Sequence, residues 1–302
     1  MVRDEEGGKM SKSKGNVIDP LEVMDSCEIE VLLQKLYDSN LPEKEVKKAV
    51  TQKKQDFPDG IPECGTDALR FALLSYMVQS SINLDVKRVV GYREFCNKLW
   101  NIVKFALSNF PADFKPKADG VVSISGDLSL ADKWILTRLS LLVTSTNQNF
   151  EDYKFGDMVN GLYDFWKKEL ADVYLEAIKP VMKSENAASK EAALNTLYLC
   201  LDFALKMLHP TMPYLTEELF QRLPHIPGAA PESICIAPFP TQLDSFESEQ
   251  IEDKMGKLLN TVKAFRSQLS ALNVASNAKP SIAVQANTAE LKAMFQAETQ
   301  VV

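Results

Sequence analysis

Apolar residues recur at steps of three and four through most of this 302-residue chain, and a chain patterned in that way can bury them only by packing helix against helix. Between residues 86 and 110, Val89, Tyr92, Cys96, Leu99, Val103, Ala106 and Phe110 make one such stripe, with Arg93, Asn97, Trp100 and Lys104 on the stripe beside it. Leu162, Trp166, Leu170, Val173, Ala177 and Val181 repeat the pattern, as do Ala193, Leu197, Leu201, Ala204 and Leu208. Ala131, Ile135, Leu139 and Leu142 open the same set, and Met255, Leu258, Val262, Phe265, Leu269 and Leu272 mark a later amphipathic helix. Pro180 and Pro210 are expected to close two of these helices, because proline lacks the N–H a helix interior needs. A short helix through residues 216–219 is expected to end at Pro224. The predicted fold class is mainly α: a loop with short helices leading into an antiparallel helix bundle, followed by a small α/β tail with a strand at 281–285 and a helix around 289–297.

Punctuation between the periodic segments predicts three units, residues 1–85, 86–245 and 246–302. Residues 111–126 form a loop containing Gly120 and Gly126, and residues 224–240 hold five prolines, a linker composition expected to pack along the bundle surface. The lysines at 44, 47, 48, 53 and 54 alternate with Glu43, Glu45 and Asp56, so they read as a solvated helical face. No apolar run approaches the roughly 18 residues of a membrane helix. The five cysteines, Cys27, Cys64, Cys96, Cys200 and Cys235, are odd in number and lack a Cys-x-x-Cys pair, which fits reduced thiols in the cytoplasm and gives no zinc or other metal site. Cys96 and Cys200 fall on apolar stripes and read as small core residues.

The chemistry is concentrated near the start. Lys9-Met10-Ser11-Lys12-Ser13 place two ammonium groups and two hydroxyls on a loop preceded by Gly7 and Gly8 and followed by Gly15, where the backbone can take positive φ. Such a loop suits a polyphosphate, since mobile lysine charges and short serine donors stabilise a departing pyrophosphate more than a ground-state triphosphate. The net charge of −7 argues against a general nucleic-acid binder. Locally the balance reverses: Lys87, Arg88, Arg93, Lys98 and Lys104 stand against Glu94, enough for a basic face. On that helix Trp100 reads first as packing and second as a stacking platform, while Arg93, Asn97 and Lys98 are the better contacts for splayed bases. His209 is expected to cap a helix end, with no cysteine placed to pair with it, and His225 lies in the proline-rich stretch.

Residues 9–20, reading KMSKSKGNVIDP, resemble the second signature of class I aminoacyl-tRNA synthetases. Residues 60–71 (GIPECGTDALRF), 82–88 (INLDVKR), 91–101 (GYREFCNKLWN) and 209–224 (HPTMPYLTEELFQRLP) then follow in an order similar to the valyl-tRNA synthetase family, with the resemblance fading beyond about residue 230. Where that family usually has Gly-Arg-Asp, this chain has Gln79-Ser80-Ser81, and residues 28–58 look like the longer eukaryotic form of an insertion. The resemblance implies a class I anticodon-binding helix bundle and the reaction of ATP, valine and tRNA(Val) to valyl-tRNA(Val), AMP and diphosphate. It implies that Lys9 and Lys12 are catalytic, and that Lys9, Ser11, Lys12 and Ser13 meet the phosphates of Mg-bound ATP. It further implies tRNA contacts by Lys87, Arg88, Arg93, Asn97, Lys98 and Trp100, and possible residence in a multienzyme translation complex. Neither histidine fits the first class I signature, His-x-Gly-His. The chain is therefore expected to be the C-terminal portion, starting just before the lysine loop, reaching valine only through an N-terminal half and inactive by itself. The competing expectation is a non-catalytic tRNA-binding or assembly module.

Overall fold

A computed structural model describes residues 2–4, 7–78, 81–116, 128–225, 228, 231–241, 243, 248–275, 278 and 283–297. The first part is a set of short helices: α1 (Pro20–Met24), α2 (Ile29–Tyr37), α3 (Glu43–Asp56) and α4 (Thr66–Ser75). Asp19 starts α1 through a capping box with Glu22, which satisfies two of the free N–H groups of the first turn. Two short strands, β1 (Val2–Arg3) and β2 (Ile82–Asn83), pair in parallel with Val2 opposite Ile82, so the chain returns to its own start before the bundle begins.

The segment carrying α2 and α3 leaves and re-enters this unit at one place. Cys27 N–H donates to Ile61 O at 2.9 Å and Ile61 N–H to Cys27 O at 2.8 Å, an isolated antiparallel bridge closing the segment at its base. Gly60 makes that closure possible. Its φ is +81°, and a Cβ there would meet the Cys27 carbonyl oxygen at 2.4 Å.

The bundle follows: α5 (Val86–Asn109), α6 (Leu130–Glu151), α7 (Phe155–Asp164), a π-helical stretch (Phe165–Tyr174), α8 (Leu175–Lys183), α9 (Ala187–Leu208), α10 (Pro213–Arg222) and α11 (Glu249–Ala271). A nine-residue tail helix, α12 (Ala289–Ala297), ends the described chain. The α5 stripe is inside as its spacing predicts: Val89, Tyr92, Cys96, Leu99, Val103 and Ala106 are all buried. Cys200 is likewise a buried core residue. Helix α6 begins at Ser129, whose Oγ accepts from Asp132 N–H at 3.1 Å, while the Asp132 carboxylate accepts from Ser129 N–H at 2.9 Å and from the Tyr174 hydroxyl at 2.7 Å. One buried carboxylate thus caps one helix and anchors the next layer of the bundle. Buried residues from Val23 to Leu258 form one continuous cluster, so the short helices and the bundle share a core. Leu99→Ala is expected to lower stability by about 2–5 kcal/mol, read from the urea midpoint, while exposed Arg93→Ala leaves that midpoint unmoved.

Four expectations are corrected here. Pro180 does not close its helix: α8 runs past it to Lys183, because buried Ala177 and Ile178 hold the preceding turn and only one more turn follows. The helix containing Trp166 and Leu170 is not uniformly α, since residues 165–174 take the wider π turn. Lys53 is not on a solvated face: it is 7% exposed, while Lys44, Lys47, Lys48 and Lys54 are exposed as expected. Of the expected strand at 281–285, Ser281 and Ile282 lie outside the described residues and residues 283–285 are irregular. Most of the 111–126 loop also lies outside them. The proline-rich stretch does lie on the bundle along its described residues: Tyr198 OH donates to Pro224 O at 3.0 Å, Asn147 Nδ2 to Pro240 O at 2.8 Å, and Ile234 is buried.

Candidate functional site

The lysine loop is held from below by polar side chains. Ser11 N–H donates to Asn16 Oδ1 at 2.9 Å, and Asn16 Nδ2 donates to Asp4 Oδ2 at 2.8 Å and to Lys9 O at 3.3 Å. Lys9 also forms an isolated antiparallel bridge with Arg3 of β1. Residues Lys12–Lys14 make a single 3-10 turn, closed by Gly15 at φ 66°, and Ser11 Oγ lies 3.1 Å from Ser13 Oγ. The structure therefore brings Lys9, Ser11, Lys12 and Ser13 together on one turn, with both lysines and Ser13 exposed and Ser11 half-buried. Neither lysine makes an ion pair among the described residues, so both ammonium groups face solvent and can turn toward an anion. A Cβ on Gly15 would lie 3.0 Å from Ala49 Cβ and Leu41 Cδ1, which places the turn in direct contact with the α2–α3 segment.

The six expected tRNA contacts all sit on or at the start of α5, but they do not form one face. Asp85 caps the helix by accepting from Lys87 N–H at 2.8 Å, with Lys87 exposed beyond it. Arg88 points elsewhere, its guanidinium 4.4 Å from the Tyr76 ring centre and 5.9 Å from that of Tyr92. Lys98 is paired with Asp172 of the π-helical stretch at 2.7 Å. Arg93, Asn97, Trp100 and Lys104 remain as one open stripe, spaced to fall on the same side of the helix. Trp100, read first as packing, is 38% exposed, and the Arg222 guanidinium of α10 lies 5.0 Å from its ring centre. Arg222 was hidden in the sequence because its i,i+4 spacing from Glu218 explains it as a solvated ion pair, which it also forms.

Beside that stripe, α4 is tied to α10. Asp67 accepts from Leu215 N–H at 2.6 Å at the start of α10, and Arg70 donates to Pro210 O at 3.1 Å and Thr211 O at 3.3 Å. Burial pushes the Asp67 carboxyl up, partly offset by these backbone donors. Asp67, Arg93 and Tyr214 line a hollow of about 260 Å3 between the three helices. His209 does sit at the end of α9, but its ring caps no carbonyl. Nδ1 lies 2.7 Å from Thr216 Oγ1, and Nε2 lies 3.1 Å from Cys235 Sγ. Because Thr216 Oγ1 donates to Met212 O at 2.8 Å, it accepts from Nδ1–H, leaving Nε2 to accept from the thiol. The expectation that no cysteine reaches His209 is thus overturned, by a contact 26 residues away in sequence. Among the described residues no three His, Cys, Asp or Glu side chains gather as a metal-binding group.

The family model for tRNA synthetases of class I (I, L, M and V) matches residues 1–85, and that for the anticodon-binding domain of tRNA ligase matches residues 132–285. The valine–tRNA ligases of Mus musculus and Homo sapiens are each 47% identical to the chain over 276 residues, covering 91% of it and 22% of their own length. The chain belongs to the valine–tRNA ligase family. It spans about a fifth of the length of these ligases, and the likeness runs well past residue 230, further than the sequence motifs alone suggested. The valine–tRNA ligase of Schizosaccharomyces pombe is 40% identical over 92% of the chain. Among solved structures, the LeuRS of Agrobacterium radiobacter K84 agnB2 in its complex with tRNA and LeuAMS covers 82% of this ligase-family chain with a TM-score of 0.53 at 18% identity, a likeness of fold. No helix among the described residues is long and apolar enough to cross a membrane.

Proposed function

We propose that this chain supplies the ATP-phosphate loop and the anticodon-binding surface of an enzyme that joins valine to tRNA(Val), converting ATP to AMP and diphosphate. In the first half-reaction the valine carboxylate attacks the α-phosphorus of Mg-bound ATP, and negative charge accumulates on the leaving diphosphate. Lys9 and Lys12 stabilise that charge as it develops, and Ser11 and Ser13 add short donors from the same turn. In the second role the α5 stripe of Arg93, Asn97, Trp100 and Lys104, flanked by exposed Lys87, meets the anticodon stem and loop through phosphate contacts, hydrogen bonds and stacking. Arg222 joins it by widening the aromatic platform on Trp100. A cytoplasmic setting is supported by five unpaired thiols, four of them buried.

The observation that carries this reading is the Asn16-anchored turn with two unpaired lysines on the same chain as an open Arg93-Asn97-Trp100-Lys104 stripe. Titrating tRNA(Val) into the chain at several salt concentrations tests it. With three to five phosphates neutralised, log affinity should fall with log salt at a slope of magnitude about two to four. Arg93→Ala should weaken binding and reduce that slope by about one. A flat salt dependence, or full affinity in Arg93→Ala, would remove α5 from the footprint.

A further inference from the structure

Beneath the lysine turn is a cavity of about 460 Å3, within the size range of small-molecule sites. One wall is the turn itself, through Lys12 and Ser13, and the other is the α2–α3 segment, whose Leu32, Leu36 and Leu41 make an apolar surface. Three lysines, Lys12, Lys35 and Lys53, line it together with one carboxylate, Glu22. That carboxylate is taken: Lys35 Nζ donates to Glu22 Oε1 at 2.8 Å. Lys53 differs from the others. It is 93% buried and lines the cavity, and its ammonium makes no hydrogen bond or ion pair among the described residues, lying 5.3 Å from the Phe57 ring centre.

An ammonium at the end of a buried stem, opening onto a cavity without a protein acceptor, is poorly hydrated, and an anion there would supply the charge and lone pairs it lacks. Burial accordingly pushes the Lys53 pKa down, with Glu22 and Asp56 pulling it partly back. Water satisfies a lysine equally well at the surface, so a solvation argument gives no reason to place this one inside. An anion in the cavity does. We infer that this cavity binds a small phosphate ester, its phosphate between Lys53, Lys12 and the Ser13 hydroxyl and its organic part against Leu32, Leu36 and Leu41. The inference stands apart from the ATP reading, since Lys9 and Ser11 do not line the cavity. Lys12 is the residue that both would use.

Phenyl phosphate is the probe, titrated into the whole chain by calorimetry at low salt. Saturable binding is expected, with phenol failing to bind. Lys53→Met keeps the alkyl stem, so its urea midpoint should hold or rise while affinity falls at least tenfold. Lys9→Ala should bind the probe as the unaltered chain does. In the unaltered chain, bound phenyl phosphate should also protect Lys53 from a lysine-acylating reagent, read by peptide mass spectrometry, which keeps the test open should Lys53→Met fold poorly. Displacement of the probe by tRNA would assign the site to an RNA phosphate and its persistence to a free ester, either supporting the site. No saturable binding, unprotected Lys53, or binding lost in Lys9→Ala and kept in Lys53→Met would overturn it, the last by putting the anion on the open side of the turn.

Discussion

Lys12→Ala, placed in an enzyme that also carries the catalytic half, is expected to slow adenylate formation by about 10²-fold or more, the scale on which one preorganised transition-state donor acts. Lys12 is exposed and forms no ion pair among the described residues, so its removal leaves packing and fold untouched and the loss belongs to chemistry. Valine affinity should hardly change, because an ammonium that meets charge only as it moves onto diphosphate contributes differential binding. Lys12→Arg should recover part of the rate, since a planar fork replaces a compact charge that must sit among several phosphate oxygens. Rapid-quench measurement of adenylate, with valine binding measured separately, reads both quantities. An unchanged rate would show an idle loop, and a loss confined to valine affinity would give Lys12 another task.

Trp166→Ala should be the most damaging core change, lowering stability by about 3–5 kcal/mol. The side chain is fully buried in the π-helical stretch, and truncation leaves a void the close-packed bundle can only partly close. Trp166→Phe should cost much less than its lost area implies. The indole Nε1–H is buried without a hydrogen-bond partner among the described residues, so phenylalanine also removes an unmet donor, a desolvation cost of about 1–3 kcal/mol. Urea midpoints of the three proteins test the order, and an alanine variant within about 1 kcal/mol of the parent would mean that the wide turn is not held by this ring.

The α5 stripe was legible because the period of a helix states which residues share a side, and burial then follows for Val89, Leu99 and Val103 alike. The lysine turn stood out through the whole string at 9–20, not through its residue types alone, and its Lys12–Lys14 do form a 3-10 turn closed by Gly15. What the sequence withheld is what lies opposite each side. Lys98 looked like a free cation until Asp172, 74 residues on, came alongside, and His209 looked isolated until Cys235 did. Lys53 sits in a run of charges, and the packing of α3 on α2 beside the lysine turn buries it. The π turn was invisible for a different reason: Trp166, Leu170, Val173 and Ala177 fit a wide turn and an ordinary one equally well.

The two hydrogen bonds between Cys27 and Ile61 make residues 28–60 a side branch whose root is one residue pair wide. A branch rooted so narrowly can lengthen or shrink with little penalty, since each doubling of a closed loop costs only about 0.6 kcal/mol. Its growth displaces nothing in the bundle. The branch nevertheless abuts Gly15, the residue that closes the lysine turn, through Leu36, Leu41 and Ala49. Changing the length of that segment should therefore alter how tightly the lysine turn is braced, as long as Leu32 keeps its place in the shared core.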